Sequence, residues 1–329
     1  MRAAPPSRAM AVQAVDLVKT YRTGRHTQPV RALDGLSLDI TAGTVFALLG
    51  PNGAGKSTTV KILTTLSRPD AGRASVAGVD VLQQPDAVRR LIGLVSQKSS
   101  TDPMATAREN LVLAGRIQGL SHASSRSRAR ELLSRFQLDD ATNRLAKTFS
   151  GGMSRKLDVA MGLMHRPRVL FLDEPTTGLD PEARADMWAE ISRLSSDEYV
   201  TVLLTTHYLE EADQLADRLA IIDAGRLVVE GTPDELKSEL RGDTVLVELS
   251  SADAAAAALG LLTRLRGLHE VDADGRSLRA RAEHGARAVP AVIAALEDAG
   301  VAAASVAVAR PSLDDVYLRH VGRSFEVAA

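Results

Sequence analysis

The chain has 329 residues, a formal net charge of −1 and no cysteine, with 45% hydrophobic and 25% charged residues. This composition is typical of a globular protein, and the length suggests about two domains. Without cysteine there can be no disulfide and no thiolate metal site. The near-zero net charge argues against a nucleic-acid-binding surface, so we expect no nucleic-acid partner.

The first residues predict neither a signal peptide nor a membrane anchor. Residues 1–10 contain two arginines and two prolines but no apolar core segment, so we predict a short disordered leader over residues 1–9. The longest apolar stretches, such as residues 254–259, fall well short of the roughly 18–20 residues that a membrane-spanning helix needs.

Residues 50–58 read G-x-x-x-x-G-K-S-T, the pattern of a phosphate-binding loop. An apolar run at residues 44–49 predicts a buried strand before it, and residues 57–66 are compatible with a helix after it. An isolated glycine-rich turn with a stray lysine would not need both flanking elements. The predicted nucleotide-binding residues are Gly50, Pro51, Asn52, Gly53, Ala54, Gly55, Lys56, Ser57 and Thr58.

The chemistry of this loop is specific. Its glycines let backbone N–H groups point at a phosphate, and the helix that follows adds its positive end. Lys56 can reach the β- and γ-phosphates, and the Ser57 hydroxyl can bind Mg²⁺. The loop therefore predicts binding of a nucleoside triphosphate with Mg²⁺.

Short strands are predicted at residues 12–18 and 36–40, on either side of a polar loop at 22–28. Tyr21 lies at the start of that loop. In a chain with 3% aromatic residues it is a candidate for stacking an adenine ring, and a half-buried tyrosine at a strand end is an equally good interpretation.

A strand at residues 75–81, a helix at 86–91 and a strand at 92–95 follow the loop helix. The last strand ends at Gln97, whose side chain can hold Mg²⁺ or a water beside the γ-phosphate, although a lone glutamine is more often a loop residue. Residues 102–163 then predict helix throughout. We interpret them as a helical sub-domain that faces a partner. The alternative is that these helices have only a structural role.

A second anion site is predicted at Ser150-Gly151-Gly152, before a helix at residues 154–164. A serine and two glycines at a helix start expose a hydroxyl and bare backbone N–H groups to an anion. The alternative is a flexible turn that caps the helix.

Two further strands end in polar residues. The run at 169–174 ends in Asp173 and Glu174, and the run at 200–204 is followed by His207. Ligands bind at the carboxyl ends of strands in open α/β sheets. We expect Asp173 to bind Mg²⁺ and Glu174 to face the attacking water. A loop containing Asp180 separates the two strands.

Six motifs together resemble an ABC-transporter ATP-binding subunit over about residues 12–235. They are the phosphate loop, Gln97, Ser150-Gly151-Gly152, Asp173-Glu174, Asp180 and His207. The resemblance implies a P-loop NTPase fold of the ABC type: an α/β domain with a mixed β-sheet core, an antiparallel β-subdomain and a helical insertion. It also implies ATP and Mg²⁺ as cofactors.

The resemblance assigns roles around one ATP. Tyr21 looks like the residue that stacks on adenine, and Gln97 like the glutamine that ligates Mg²⁺ and senses the membrane subunit. Glu174 is expected to act as general base or to orient the water, with His207 on the γ-phosphate and Lys56 neutralising developing charge.

The same resemblance implies that the site is shared between two subunits. Ser150, Gly151 and Gly152 resemble the signature that closes on the γ-phosphate bound by the opposite subunit, and Asp180 resembles the aspartate that crosses the dimer seam. The broad family has glutamine at Met153. A thioether cannot replace the hydrogen bonds of an amide, so the contacts here must come from Ser150 and the backbone.

Ser-Gly-Gly-Met followed by a basic helix with Leu157-Asp158 is similar to the daunorubicin-resistance branch of drug exporters. We divide the chain into an ATP-binding domain at 10–240 and a C-terminal domain at 241–329. The predicted order βαββαβ at residues 244–309 suggests a small ferredoxin-like α+β domain. The branch implies a role for it in assembly or regulation, and inert packing is an equal alternative.

The leading hypothesis is an ATPase subunit, with no predicted membrane-spanning segment, that drives export through a separate permease. We expect a homodimer bound to permease subunits at the cytoplasmic face of the membrane. The alternative is a non-transport ABC ATPase that acts as a mechanical or regulatory module. A GTPase is a weaker alternative, because the chain has no Asn-Lys-x-Asp motif.

Overall fold

The computed structural model describes residues 9–22, 28–240 and 242–322. The chain forms two compact units that divide between Pro233 and Asp234. Residues 1–8 of the predicted leader and residues 23–27 of the predicted polar loop lie outside the described residues.

The strands described in the first unit fall into two sheets. In chain order they are β1 (Met10–Tyr21), β2 (Val30–Thr41), β3 (Val45–Leu49), β4 (Ala71–Val76), β5 (Val79–Asp80), β6 (Ile92–Val95), β7 (Val169–Asp173), β8 (Thr201–Thr206), β9 (Arg218–Asp223) and β10 (Arg226–Gly231). One sheet has the order β2-β1-β4-β5 and is antiparallel. The other has the order β10-β9-β3-β8-β7-β6, and only β10 runs antiparallel in it.

The helices described in the first unit connect these strands or form the insertion. They are α1 (Lys56–Leu63), α2 (Pro85–Leu91), α3 (Ala107–Ile117), α4 (His122–Arg135), α5 (Gly151–Gly162), α6 (Pro181–Ser196) and α7 (Leu209–Leu215). The predicted mixed sheet, antiparallel sheet and helical insertion are all present, so the predicted fold class is confirmed.

The six-stranded sheet is buried on both faces. Every residue of β3 and β8 is buried, as are the first four residues of β7. This explains why these strands appear in the sequence as continuous apolar runs rather than alternating ones. In register, Leu49 lies beside Thr206, Asp173 beside Thr205, and Val95 beside Leu172. The carboxyl ends of four parallel strands are therefore level.

The single strand predicted at residues 75–81 is wrong. The structure has a hairpin there, with β4 and β5 joined through Ala77 and Gly78 and with Val76 opposite Val79. Both turn residues have positive φ, 50° and 79°. This is the backbone of the tight hairpin turn that suits twisted antiparallel strands, and the apolar residues on either side had hidden it.

The helical insertion is built from α3, α4 and α5. A capping box begins α3, in which Thr106 accepts from the backbone N–H of Glu109 and the Glu109 carboxylate accepts from that of Thr106. Helix α4 begins directly after Ser121, whose hydroxyl caps it by accepting from the Ser124 N–H. Helix α5 begins at Gly151, so its predicted start at residue 154 is too late.

The second unit contains a four-stranded antiparallel sheet. Its elements are α8 (Pro233–Ser238), β11 (Asp243–Leu249), α9 (Ala255–Arg264), β12 (Leu268–Asp274), β13 (Ser277–Ala282), α10 (Gly285–Asp298), β14 (Ala303–Ala309) and α11 (Leu313–Val321). The sheet order β12-β13-β11-β14 places the first and third strands of the βαββαβ unit at its centre. This is the ferredoxin-like arrangement that the element order predicts.

A separate apolar core holds this unit together. Val245, Val247 and Leu278 of the sheet pack with Leu262 of α9 and Leu296 of α10, all of them buried. The residue that follows α8, Glu239, contacts α11, because its backbone carbonyl accepts from Arg319 and its carboxylate lies 3.8 Å from His320. Residues 234–240 therefore belong to the second unit, whereas the sequence placed the boundary after them.

No helix within residues 9–22, 28–240 and 242–322 is long and apolar enough to cross a membrane.

We expect Leu296→Ala to lower the free energy of unfolding by about 2–5 kcal/mol, because it leaves a cavity in a closed core. Leu296 is 1% exposed, whereas Ile293 on the same helix is 38% exposed. Ile293→Ala is therefore the matched control, and it should lower the free energy of unfolding by clearly less. Urea unfolding followed by circular dichroism measures both, and equal costs would contradict the described core.

Candidate functional site

The phosphate-binding loop connects β3 to α1 at the level edge of the sheet. Gly55, directly before α1, has φ 109°, a left-handed conformation that favours glycine. A Cβ atom there would lie 2.5 Å from the Ala32 carbonyl oxygen. The second glycine of the motif is thus required by backbone conformation and by space.

Lys56 lies across the loop and is 5% exposed. Its ammonium donates to the carbonyl oxygens of Gly50 at 2.5 Å and Pro51 at 3.2 Å. Burial lowers the pKa of Lys56, and the carboxylates of Glu174 and Asp173 partly oppose that shift. The cation is therefore held inside the loop, close to two acidic groups from another strand.

Ser57 of α1 and Asp173 of β7, the two residues predicted to bind Mg²⁺ from the loop and from the acidic strand end, lie close together. The Ser57 hydroxyl lies 3.4 Å from Asp173 Oδ1, which also accepts from the Thr205 hydroxyl of β8. Hydroxyl and carboxylate oxygens suit Mg²⁺, which is usually bound through few protein ligands together with phosphates and water. No cluster of three or more His, Cys, Asp or Glu side chains suited to a metal occurs among the described residues.

The Glu174 carboxylate lies beside two other predicted site residues, Gln97 and His207. Its Oε2 accepts from Gln97 Nε2 at 2.9 Å and from the Thr177 hydroxyl at 3.3 Å. The Nδ1 atom of His207 lies 3.1 Å from Glu174 Oε1, but the two are not aligned as a hydrogen bond. The side chains of His207 and Glu174 are 15% and 11% exposed. Strand ends from β6, β7 and β8 thus bring Gln97, Glu174 and His207 together.

The backbone of Glu174 is strained, with a φ of 48°. A left-handed conformation in a residue other than glycine costs on the order of 1–3 kcal/mol and persists only where its surroundings hold it. Here the Glu174 N–H donates to the carbonyl oxygen of Thr205 at 3.1 Å and to its hydroxyl at 3.2 Å. Strain at such a place is common in functional sites.

A residue that sequence reasoning missed, Arg155 of α5, holds the same segment from the other side. It is 7% exposed, and its guanidinium donates to the carbonyl oxygens of Ser96, Asp173, Glu174 and Pro175. Burial lowers its pKa, and the nearest carboxylates, Asp158 first, oppose that shift. The available signal was the pair Arg155 and Asp158, of opposite charge and one helical turn apart.

The signature residues lie in the first turn of α5, not before it. Ser150 is the N-cap and its hydroxyl accepts from the Met153 N–H at 3.2 Å, so Gly151 and Gly152 are the first helical residues. Serine is a strong N-cap, which explains the early start. Ser150 and Gly151 are exposed, and the described contacts do not bring them to the phosphate loop of the same chain.

Asp180 and Tyr21 also stand apart from the Glu174 group in the described contacts. The Asp180 carboxylate caps α6 by accepting from the Ala183 N–H at 2.9 Å, and Asp180 is exposed. Tyr21 ends β1, and the Lys19 ammonium lies 5.5 Å from the centre of its ring. The roles predicted for both residues stay predictions.

Comparison with known proteins gives two family matches on this chain. The ABC transporter family matches residues 33–177, and the C-terminal domain family of DrrA1-3-like ATP-binding proteins matches residues 231–321. The second match covers most of the unit that contains the ferredoxin-like sheet.

Curated relatives extend over nearly the whole chain. The daunorubicin resistance ATP-binding protein DrrA3 of Streptomyces coeruleorubidus is 50% identical over 292 residues, covering 89% of this chain and 92% of the relative. The daunorubicin/doxorubicin resistance ATP-binding protein DrrA of Streptomyces peucetius is 47% identical, covering 97% and 96%.

Among solved structures, the ATP-binding cassette MJ0796 in a dimeric post-hydrolysis state with ADP and Pi matches with a TM-score of 0.62 at 26% identity. The match covers 67% of this chain and 98% of that one. Both family matches agree with the features of the site, namely the phosphate loop, the strand end at Asp173 and Glu174, and the helix that begins with the signature. The chain is an ABC-type ATPase and belongs to the daunorubicin-resistance type of ABC transporter ATP-binding subunits.

Proposed function

We propose that this chain hydrolyses Mg-ATP to drive export of a drug, antibiotic or lipid-like compound through a separate membrane permease. The observation that carries the proposal is the meeting of Gln97, Glu174 and His207 beside a complete phosphate loop. Two relatives are named for resistance to daunorubicin or doxorubicin, which supports a drug or antibiotic as the exported compound. An assay of Mg-ATP hydrolysis by the purified chain, alone and with its permease, tests the activity, and no turnover in either would refute it.

The chemistry proposed for the site is electrostatic and positional. The phosphate loop holds the β- and γ-phosphates, and Lys56 offsets the charge that develops on them. Ser57, Asp173 and Gln97 would hold Mg²⁺, which lowers the charge repulsion between phosphates and the attacking water. Glu174 takes the proton of that water or orients it, and His207 contacts the γ-phosphate.

Because the phosphate loop and the signature lie apart in one chain, we propose that a second copy completes each site. Ser150, Gly151 and Gly152 of one subunit would close on the γ-phosphate held by the other, with Asp180 at the seam. Free N–H groups at a helix N-terminus are suited to a phosphate. Hydrolysis then follows a cycle in which the homodimer closes on ATP and opens after turnover.

An apolar groove offers a docking surface for the permease. It has a volume of about 450 Å³ and is lined by Leu66, by Leu113 and Ile117 of α3, and by Met161 of α5. Ile117 is 74% exposed, Leu66 64% and Leu113 55%. Exposed apolar residues grouped around a groove mark interaction sites. We propose that a permease segment fills this groove and holds the chain at the cytoplasmic face of the membrane.

A non-transport ABC ATPase that acts as a mechanical or regulatory module is the alternative. Its partner would be a soluble assembly such as the ribosome. Co-purification with a membrane permease supports export, whereas co-sedimentation with ribosomes supports the alternative.

We expect Lys56→Met to remove most of the stabilisation that ATP gives. A ligand at 100 times its Kd stabilises a protein by about 2.7 kcal/mol, and Lys56 is the cation nearest the predicted phosphates. Lys61→Met on the same helix is the matched control, because Lys61 is exposed on α1. Thermal unfolding with and without Mg-ATP measures the effect, and equal stabilisation of both variants would contradict the role of Lys56.

Glu174→Gln should leave ATP binding intact, reduce turnover by about 10²-fold or more, and trap an ATP-bound dimer. The amide keeps the size of the side chain and can still accept from Gln97, but it cannot take a proton. Single-turnover hydrolysis and size-exclusion chromatography with Mg-ATP measure the two effects. Parent-like turnover in this variant would show that Glu174 is not the catalytic carboxylate.

Ile117→Glu should weaken binding to permease-containing membranes without changing hydrolysis by the isolated chain, because it places a charge in an apolar groove. Tyr199→Glu is the control, since Tyr199 is 81% exposed and does not line the groove. Membrane co-sedimentation compares the two variants. If Ile117→Glu binds as well as the control, the permease does not dock in this groove.

A further inference from the structure

The helix that carries the signature also holds the two segments that carry Gln97 and Glu174. Its first turn presents Ser150 to Gly152, and its next turn carries Arg155, which is 7% exposed. The guanidinium donates from Nε to the Pro175 carbonyl at 2.8 Å and from Nη1 to the Ser96 carbonyl at 2.6 Å. From Nη2 it donates to the carbonyls of Asp173 at 2.9 Å and Glu174 at 3.1 Å.

These four acceptors come from two strands of the sheet. Ser96 follows β6 and directly precedes Gln97, whereas the other three carbonyls belong to the end of β7 and the residues after it. Arg155 therefore fixes the spacing between the two strand ends, at the point where the Gln97 amide donates to Glu174 Oε2 at 2.9 Å.

The backbone of Glu174 is held at both of its polar groups. Its N–H donates to Thr205, and its carbonyl oxygen accepts from Arg155. With φ at 48°, the residue is in a conformation that needs such support. If the contact from Arg155 is lost, the peptide can relax, and the carboxylate moves away from Gln97.

The same helix holds the loop after Gln97 at a second point. Asp158, one turn beyond Arg155 and 3% exposed, accepts from the Ser100 N–H at 3.0 Å and from the Ser99 hydroxyl at 3.1 Å. Residues 96–100 are therefore attached to α5 at both ends. A shift of α5 cannot leave the position of Gln97 unchanged.

Arg155 uses carbonyl oxygens rather than a carboxylate. Within the described residues no acidic side chain lies at ion-pair distance from it, so four carbonyl dipoles face its charge. A guanidinium presents five N–H donors in a fixed planar fork, whereas a lysine ammonium offers three donors at one atom. Lysine can keep the charge here but cannot reach both strand ends in the same way.

We propose that Arg155 is a positioning residue, which fixes the Glu174 carboxylate relative to Gln97 and links that spacing to the helix that carries the signature. This inference rests on the proposed function of the site. It predicts that closure of the signature on a partner's ATP moves α5 and thereby sets the catalytic carboxylate. The described contacts of the Arg155 side chain include neither the phosphate loop nor the signature residues.

The test is Arg155→Lys, with Arg155→Met as the stronger change. We expect Arg155→Lys to lower kcat roughly 10²-fold, the effect of a misplacement of about 1 Å. The KM for ATP should not change, because Lys56 and the loop are untouched. In a Glu174→Gln background, Arg155→Lys should still trap the Mg-ATP dimer, since that step needs binding and not a positioned carboxylate.

Arg128→Lys is the matched control. Arg128 is another buried arginine, 9% exposed, that donates to a backbone carbonyl, that of Leu163, and it lies on α4. Both lysine variants should lose similar thermal stability, but only Arg155→Lys should lose kcat. Equal loss of kcat in the two, unchanged kcat in Arg155→Lys, or a raised KM would overturn the proposal. A parent chain without turnover would refute the proposed function instead.

Discussion

The level carboxyl ends of the parallel strands are the constraint on which the site depends. Because β3, β8, β7 and β6 pair in register, the residues that follow them lie at one edge of the sheet. The strand ends thereby bring together four residues that are far apart in the chain: Lys56, Gln97, Glu174 and His207. No long side chain is needed to bridge the distance between them. Sheet burial on both faces keeps this register fixed, since a slip would misplace apolar side chains along every strand.

Several features of the site lower the stability of the folded protein. Lys56 and Arg155 are buried cations, and Glu174 has a left-handed backbone. Buried charges are tolerated only where polar groups face them, and here backbone carbonyls do so for both cations. The same contacts that compensate the charges also hold the backbone around Glu174, and electrostatic catalysis requires groups that are held in this way.

The sequence predicts the fold class and the Glu174 group because each residue follows a strong local pattern: a glycine-rich loop or a polar residue after an apolar strand. It does not reveal Arg155, whose function depends on where α5 packs, and an arginine in a basic helix is normally exposed. The hairpin at Ala77 and Gly78 was missed because one of its two left-handed residues is not glycine. In the second unit, strands with alternating apolar and polar residues made the βαββαβ order predictable. The position of the boundary between the two units depended instead on contacts to α11.

In the proposed mechanism, each ATP site takes its two halves from two chains. Mixing Lys56→Met, which keeps its signature, with Gly151→Asp, which keeps its phosphate loop, tests it most directly. A Cβ atom at Gly151 has no atom of its own chain closer than 3.9 Å, so Gly151→Asp should fold, yet its carboxylate would repel a partner's γ-phosphate. Each variant alone should be inactive, and the mixture should regain Mg-ATP hydrolysis through one intact composite site. Parent-like activity of Gly151→Asp alone, or a mixture that stays inactive, would contradict the account.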